Sequence, residues 1–490
     1  MNKNILKIFY YIGFILLFFA NWVIFIIPAS GANFYVGLLI WLLLIIAGYM
    51  LNPDYFNIFF RNVFKLYIVK YYLIFILFCL GTTFVHILIG SYTANFAFYF
   101  VRIKNVFISI LIYFIPVLAI FYNIKPKKIA KIFISFVYAV LIIGIIQYLS
   151  YLLNLSFIDY MFNFFTNERI ASHFYCLDAM KSGLRINAIF SEPADLCLFL
   201  FITMPIIYNV VYSKDFIYKN KYINFFIKNT FFIFMFANII FSKSPMFGIL
   251  CIAEFIVIIL YNNIHFIKKY FIHVLASIIV IISSFCFIYN LNKQDLSNTY
   301  LSRIIDTLPE ITSLEGITKV EPSLGSRLVS FTAQIHIFKN HPFFGVGLYN
   351  VEAKLNNTIF SYGLPLTREN LFNAIKESNV VPINKCLMFT SLADIGLIGV
   401  VLLILFMFKN YICLTKIKNF YTGFEKHFIQ GFCGSIIAIF CIAFYTLSID
   451  KPIMWALFGM VVMYLYDFKY KKMRLYCTKK EIILKNKKEI

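Results

Sequence analysis

Arg185 opens the segment Arg-Ile-Asn-Ala-Ile-Phe-Ser-Glu-Pro, which closes at Pro193 against a long apolar run. An arginine there reads in two ways. Its stem snorkels and its head meets lipid headgroups, or its planar fork binds a phosphate through two parallel hydrogen bonds. Ser191-Glu192-Pro193 is a helix-start signal: a cap residue, a first-turn acid, and a proline whose missing N–H costs nothing. Glu192 is accordingly either a plain capping-turn acid or a carboxylate, held ionised by the helix dipole, that can act as a base. Lys243 sits in Phe-Ser-Lys-Ser-Pro between two apolar runs, where a charge either snorkels or lines a wet cavity. Arg327, Ser330 and Gln334 recur at helical spacing and share one helix face, either solvated or functional. Arg303 and Lys385 complete the set of cations in polar segments. Metal ligation finds no support, because His336 and His341 lack a partner at ligand spacing and the 10 Cys form no CxxC pair or Cys/His cluster. Gly345-Val-Gly347 is no nucleotide loop, since no GK[ST] follows; it marks a tight turn.

The elements that position these residues follow from composition. Of 490 residues, 61% are hydrophobic and only 13% charged, against roughly 45–50% and about 25% in soluble domains. A soluble fold could not hide that apolar surface, so lipid is the solvent for most of the chain. The 60 Phe and 34 Tyr read as lipid-facing filler rather than stacking platforms. A net charge of +22 suggests nucleic acid in a soluble protein; in a membrane protein the positive-inside rule is tested first.

About twelve stretches approach the length of a bilayer span, at 8–28, 34–51, 71–90, 106–123, 132–154, 194–213, 229–242, 245–262, 271–290, 386–408, 428–447 and 452–467. The basic start, Met1 to Lys7, leads into the first span with no short core and cleavage site, so it reads as a helix rather than a signal peptide. With the N-terminus inside, about 28 of the 44 basic residues fall on cytoplasmic segments. No nucleic acid is needed to explain them, and both termini are cytoplasmic. The expected fold is an all-α polytopic integral membrane protein: spans one to nine in 1–290, a large outer loop at 291–385, spans ten to twelve in 386–467, and a basic cytoplasmic tail at 468–490. Within the loop, Leu324, Leu328, Phe331, Ile335 and Phe338 form one apolar face of a helix over 323–340. Ser323 is its expected cap, His341-Pro342 its stop, and that apolar face its docking face. Span parity then puts Arg185, Glu192, Lys243, Arg303, Arg327 and Lys385 all on the outer side.

Four segments together resemble the superfamily of O-antigen polymerases and ligases, polytopic bacterial enzymes of glycan assembly. They are residues 185–200, with the Arg…Phe-Ser-Glu-Pro start; Ile240-Phe-Ser-Lys-Ser-Pro-Met-Phe-Gly248; Gly325-Ser-Arg327 followed by Asn340-His-Pro-Phe-Phe-Gly-Val-Gly347; and Ser391-Leu-Ala-Asp-Ile-Gly-Leu-Ile-Gly399. Their order, with a large late outer loop, covers about residues 180–410. Ligases of the superfamily carry a His-Asn pair before the last segment, whereas this chain has Asn384-Lys385-Cys386. That departure favours a repeat-unit polymerase and leaves the role of Lys385 open.

The resemblance implies a glycosyltransferase of the cytoplasmic membrane that makes O-antigen or capsule-type polysaccharide. Donor and acceptor would both be linked to undecaprenyl diphosphate, with a chain-length regulator as a candidate protein partner, membrane lipid around it and no nucleic acid. No cofactor and no metal are implied. Arg185 and Arg327 would meet the leaving diphosphate, helped by Lys243, Arg303 and Lys385, and Glu192 would activate the acceptor hydroxyl. Two alternatives remain: a ligase moving finished polymer to another acceptor, and a glycolipid transporter or flippase. The second would ordinarily show two matched halves, which this sequence lacks.

Overall fold

Asn52-Pro53 ends one apolar run and starts the next helix. The Asn52 side chain accepts from the Tyr55 N–H at 3.0 Å, and Pro53 takes the first helical position, where no N–H is required. Local signals of this kind divide the chain in the computed structural model, which describes residues 3–16, 26–29, 32–89, 96–155, 185–190, 193–211, 213, 220–242, 322–348, 350–365, 386–443 and 452–486. Helix α1 (Lys3–Leu16) is followed by a two-stranded antiparallel hairpin, β1 (Ile26–Ala29) and β2 (Ala32–Tyr35), in which Ile26 pairs with Tyr35 and Ala29 with Ala32. Next come α2 (Val36–Leu51), α3 (Pro53–Phe64), α4 (Tyr67–Leu88), α5 (Phe96–Phe121), α6 (Pro126–Leu152), α7 (Pro193–Val211) and α8 (Lys221–Ser242). The remainder comprises α9 (Pro322–Asn340), α10 (Asn350–Ser361), α11 (Leu387–Ile417), α12 (Gly423–Ile442) and α13 (Pro452–Asn486).

Among the described residues six helices (α4, α6, α7, α8, α11 and α12) are long and apolar enough to cross a bilayer, or seven spans if the pair α2 and α3 counts as one. This is the architecture of an integral multi-pass membrane protein. The apolar residues on both sides of these helices fit that solvent: α4 buries Phe75 and Ile76 while exposing Ile74, Leu77 and Phe84. The expected spans at 245–262 and 271–290 lie outside the described residues.

Several boundaries differ from the sequence expectation. Helix does not continue to residue 28, because Pro28 has no N–H to give it and 26–29 pair as a strand instead. Residues 53–64 form α3, turned by 119° from the preceding helix and anchored by buried Phe59 and Val63. The segment from 468 onward continues α13 to Asn486. Helix α9 begins at Pro322, so Ser323 lies in its first turn rather than capping it, and α10 was not foreseen.

The docking face of α9 also differs. Val329, Ala333 and Ile337 form its core side with Val346, Val351, Leu355, Ile359 and Ala393. Ser330 and Gln334 are buried beside them, whereas Ile335 of the expected apolar face is exposed.

The bundle has two chemically different ends. Antiparallel helices α7 and α12 pack closely, with Gly431 and Gly434 against Pro205. Beyond the carboxyl end of α12, the Ala443 carbonyl accepts from Met388 N–H at 2.9 Å and the Cys386 thiol at 3.2 Å. The starts of α7 and α11 and the end of α12 therefore share one end. At the other, Lys409 lies 5.3 Å from the Tyr71 ring centroid, Lys131 5.7 Å from that of Phe424, and Lys128 4.5 Å from that of Tyr11. There too the Tyr421 hydroxyl donates to Asp467 at 2.9 Å.

Helix α11 is broken at Gly396 (φ 66°, ψ −173°). The break releases groups that would have bonded to each other within the helix, and residues 342–347 take four of them. The Val346 and Gly347 N–H groups donate to the Ala393 and Asp394 carbonyls at 2.9 and 2.8 Å. The Leu397 and Ile398 N–H groups donate to the Pro342 and Phe343 carbonyls at 2.8 and 3.3 Å. Gly345 (φ 67°) and Gly396 are the contact points: a Cβ on Gly396 would overlap the Phe343 carbonyl, and one on Gly345 would overlap the Asp394 carbonyl. Gly396→Ala is expected to cost about 3 kcal/mol or more, since it combines a left-handed backbone with an immovable clash. Gly363→Ala, at φ 59° but in open space, is expected to cost only about 1 kcal/mol. Equal losses for the two variants in unfolding measurements in detergent would contradict this account.

Candidate functional site

The Arg185 segment is built by hydrogen bonds from two helices, α6 and α8. The carboxyl end of α8 presents carbonyls with no helical partner; Ile186 N–H donates to that of Phe241 at 3.2 Å and Arg185 Nε to that of Ser242 at 3.3 Å. A cation at a helix carboxyl end also meets a favourable dipole. Gln147 of α6 holds the next residues and uses its full bonding capacity. Its amide nitrogen donates to Tyr151 Oη at 2.8 Å and Asn187 Oδ1 at 2.7 Å. Its oxygen accepts from the Asn187 and Ala188 N–H groups at 3.0 and 2.8 Å. Ala188 is thereby kept at φ 49°, a left-handed backbone that costs about 1–2 kcal/mol without glycine. Asn187 Nδ2 closes the turn on the Phe190 carbonyl at 2.6 Å. Ser242 Oγ meets Cys197 Sγ of α7 at 2.9 Å, and Phe241 stacks on Tyr148 with ring centroids 3.6 Å apart.

The first two segments of the resemblance are thus joined to each other, and Arg185 is half-buried at their junction. Helix α7 begins at Pro193, as the helix-start signal predicted. Glu192 just before it, and Lys243 just after Ser242, lie outside the described residues, as do Arg303 and Lys385.

The third and fourth segments are joined by the exchange around Gly396. Asp394, 3% exposed, accepts the Val351 N–H at 3.2 Å, so a carboxylate holds the first turn of α10, where the dipole favours it. Asn350 Nδ2 donates to the Val346 carbonyl at 2.9 Å, and Leu348 N–H to Thr83 Oγ1 of α4 at 3.2 Å. Arg327 is half-buried on α9, which packs on α11: Phe331 and Phe389 lie with ring centroids 5.3 Å apart, and Thr390 Oγ1 donates to Gln334 Oε1 at 3.3 Å. Arg185 and Arg327 therefore belong to two separately built junctions at the same end of the bundle.

Sequence reasoning missed Gln147, Asn187, Asp394 and Asn350. Gln147 is one amide within an apolar span, and a polar residue at that depth is itself the available signal. Lys354 adds positive character beside the second junction, next to His341. Burial holds the Lys354 ammonium below its usual range. Burial, then the charges of Lys354 and His86, holds His341 below 6.5. Among the described residues no group of three or more His, Cys, Asp or Glu side chains could hold a metal ion. No protein-family model matches the chain, and no curated protein matches it.

Two outcomes follow from this geometry. Gln147→Ala leaves Asn187 and Ala188 without their buried partner and is expected to destabilise the protein by about 2–3 kcal/mol. Chemical unfolding in micelles measures it, and a loss under about 0.5 kcal/mol would contradict the clamp. Folded His341 binds its proton less readily than the unfolded chain does, so stability rises with pH and falls as pH drops below the unfolded value of 6.5. Protection factors of the Val346 and Gly347 amides should decrease between about pH 7.5 and pH 5.5, and His341→Gln should remove most of that decrease.

Proposed function

We propose that this protein polymerises lipid-linked oligosaccharide repeat units at the outer face of the cytoplasmic membrane, making an O-antigen or capsule-type polysaccharide. In this reading the chain crosses the membrane about twelve times, with both termini cytoplasmic and residues 291–385 outside. The observation that carries the reading is the pairing of the four resembling segments. They lie far apart in sequence, yet join two by two at one end of the bundle, each junction presenting an arginine. The opposite end carries the lysines expected to face the cytoplasm.

The chemistry asks for what those junctions supply. A sugar hydroxyl of the incoming repeat unit attacks the anomeric carbon of the growing glycan. The new glycosidic C–O bond forms as the bond from that carbon to undecaprenyl diphosphate breaks, and the hydroxyl proton passes to a base. Glu192, at the start of α7, takes the base role. The departing diphosphate gains negative charge, which preorganised cations stabilise most in the transition state. Arg185 and Arg327 take that role, and Lys243, Arg303 and Lys385 provide further positive charge from the adjoining segments. Fixed guanidinium forks suit a diphosphate better than mobile ammonium groups.

Arg185→Ala and Arg327→Ala are each expected to lower the polymerisation rate by about 10²–10³-fold, with Lys at either position restoring only part of it. Gel ladders of surface polysaccharide from complemented deletion strains read this directly. A deletion strain that carries single repeat units on its surface glycolipid supports a polymerase. Full-length polymer stranded on the lipid carrier indicates a ligase instead. Repeat units trapped on the cytoplasmic side indicate a transporter.

A further inference from the structure

His341 directly follows α9, Lys354 stands on α10 and His86 lies near the end of α4, yet the three side chains come together. The turn at 341–348 gathers them. Leu348 N–H donates to Thr83 Oγ1 at 3.2 Å, which ties the turn to α4, and His86 hydrogen-bonds the Gly345 backbone. Gly345 N–H in turn donates to the His341 carbonyl at 3.1 Å. Asp394 holds the Val351 N–H at the start of α10, and Lys354 follows one turn later. The charge of Lys354 reaches both imidazoles, and that of His86 reaches His341. Gathering groups of like charge is unfavourable unless an anion meets them. Among the described residues no acid or hydrogen-bond acceptor engages the half-buried Lys354 ammonium. The cluster is also reachable, since His341 is exposed and His86 is only half-buried.

One flank of the cluster is lipid. Phe343 and Phe344 are 62% and 56% exposed, and Phe344 stacks on Phe78 of α4 with ring centroids 6.4 Å apart. On α4 itself Phe84, Val85 and Leu88 are exposed around His86. An apolar surface beside an ammonium and two imidazoles fits a lipid whose head is an anion. Lysine supplies a point charge to a phosphate, and imidazoles donate N–H to it and gain protons beside it. The proposed reaction has two such lipids in the bilayer at once. One diphosphate leaves the reacting carbon, where Arg185 and Arg327 meet it. The other stays on the incoming repeat unit, removed from the reacting atoms by up to that unit's length. His341 lies about 20 Å from Arg327 along the axis of α9, too far for one diphosphate to touch both.

We propose that His86, His341 and Lys354 bind the diphosphate of the incoming acceptor lipid, whose first isoprene units lie against Phe343 and Phe344. The site rests on the proposed polymerase function and adds to it the residues that hold the acceptor rather than the leaving group. No bond to the acceptor's diphosphate breaks, so its charge is the same in ground state and transition state. Loss of the site therefore raises KM for the acceptor and spares kcat.

The test uses the full-length protein in nanodiscs of zwitterionic lipid. Sugar-free undecaprenyl diphosphate is titrated in and counted by native mass spectrometry, and two molecules are expected to bind per protein. Lys354→Met and His341→Gln are each expected to weaken one of the two about tenfold, equivalent to about 1.4 kcal/mol, whereas Arg327→Ala weakens the other. Lys339→Gln, at an exposed lysine in the last turn of α9, controls for general positive charge and leaves both unchanged. His86→Gln replaces either variant that does not fold. A single bound molecule in the unsubstituted protein, or two sites that Lys354→Met leaves intact, overturns the proposal. Displacement by an equal amount of phosphatidylglycerol overturns it too, because the cluster then serves any anionic headgroup. Elongation is read in the same nanodiscs, with polymer-bearing carrier as donor and single repeat units as acceptor. The variants are expected to raise KM for the acceptor about tenfold with kcat within about twofold. A fall in kcat at constant KM overturns the acceptor role and leaves the function intact. Failure of the unsubstituted protein to elongate, with both carriers still bound, overturns the polymerase function and the acceptor role with it.

Discussion

A helix interrupted inside a membrane protein must have its released backbone groups bonded, because lipid offers them nothing. The break at Gly396 meets that demand through residues 342–347, which supply two carbonyls and two N–H groups to the two N–H groups and two carbonyls set free. Much of the second junction hangs on this exchange. It brings Asp394 to the start of α10, lays Leu348 on Thr83 of α4, and fixes the stop of α9 against α11. The glycines are required because the two backbones approach too closely for any Cβ. A break that looks like a weak point in a span is thereby a joint between parts of the chain some fifty residues apart.

The first junction solves the same problem with a side chain. Residues 185–190 have no regular partner, so Gln147 spends three of its four hydrogen bonds on holding them, and the end of α8 supplies two acceptors more. The result is an arginine whose position is set by α6, α7 and α8 together rather than by its own loop. Preorganisation of this kind is what electrostatic stabilisation of a leaving group requires, since a cation that must first be ordered gives back much of its benefit.

Parts of this were legible beforehand. The helix at 323–340 was readable from its period and from the His341-Pro342 stop, and differs from α9 by one residue at its start. The span ends near 88, 152, 211 and 242 were readable from where apolar runs give way to polar residues. The turn at Gly345-Val-Gly347 was readable from its glycines. By contrast, the docking face of α9 was placed only in part: Phe331 meets Phe389, but Ile335 is exposed and Val329, Ala333 and Ile337 form the core side. The hairpin at 26–35 and helix α3 were hidden within and between apolar runs, where composition alone does not distinguish strand, bend and span. Gln147 and Asp394 drew no notice, since a single polar residue in a span carries no period.

The sequence alone determined the solvent, most of the helices, the sorting of charge along the chain and the identity of the cations near the polar turns. These are local quantities: a run of apolar residues either suffices to span a bilayer or does not, and lysines stay where hydration is cheapest. The tertiary structure alone decided which segments meet, which face of α9 turns inward, and that Gly396 breaks its helix to bind the turn before α10. Those outcomes depend on satisfying particular backbone and amide groups at a distance, and periodicity records only neighbours along the chain.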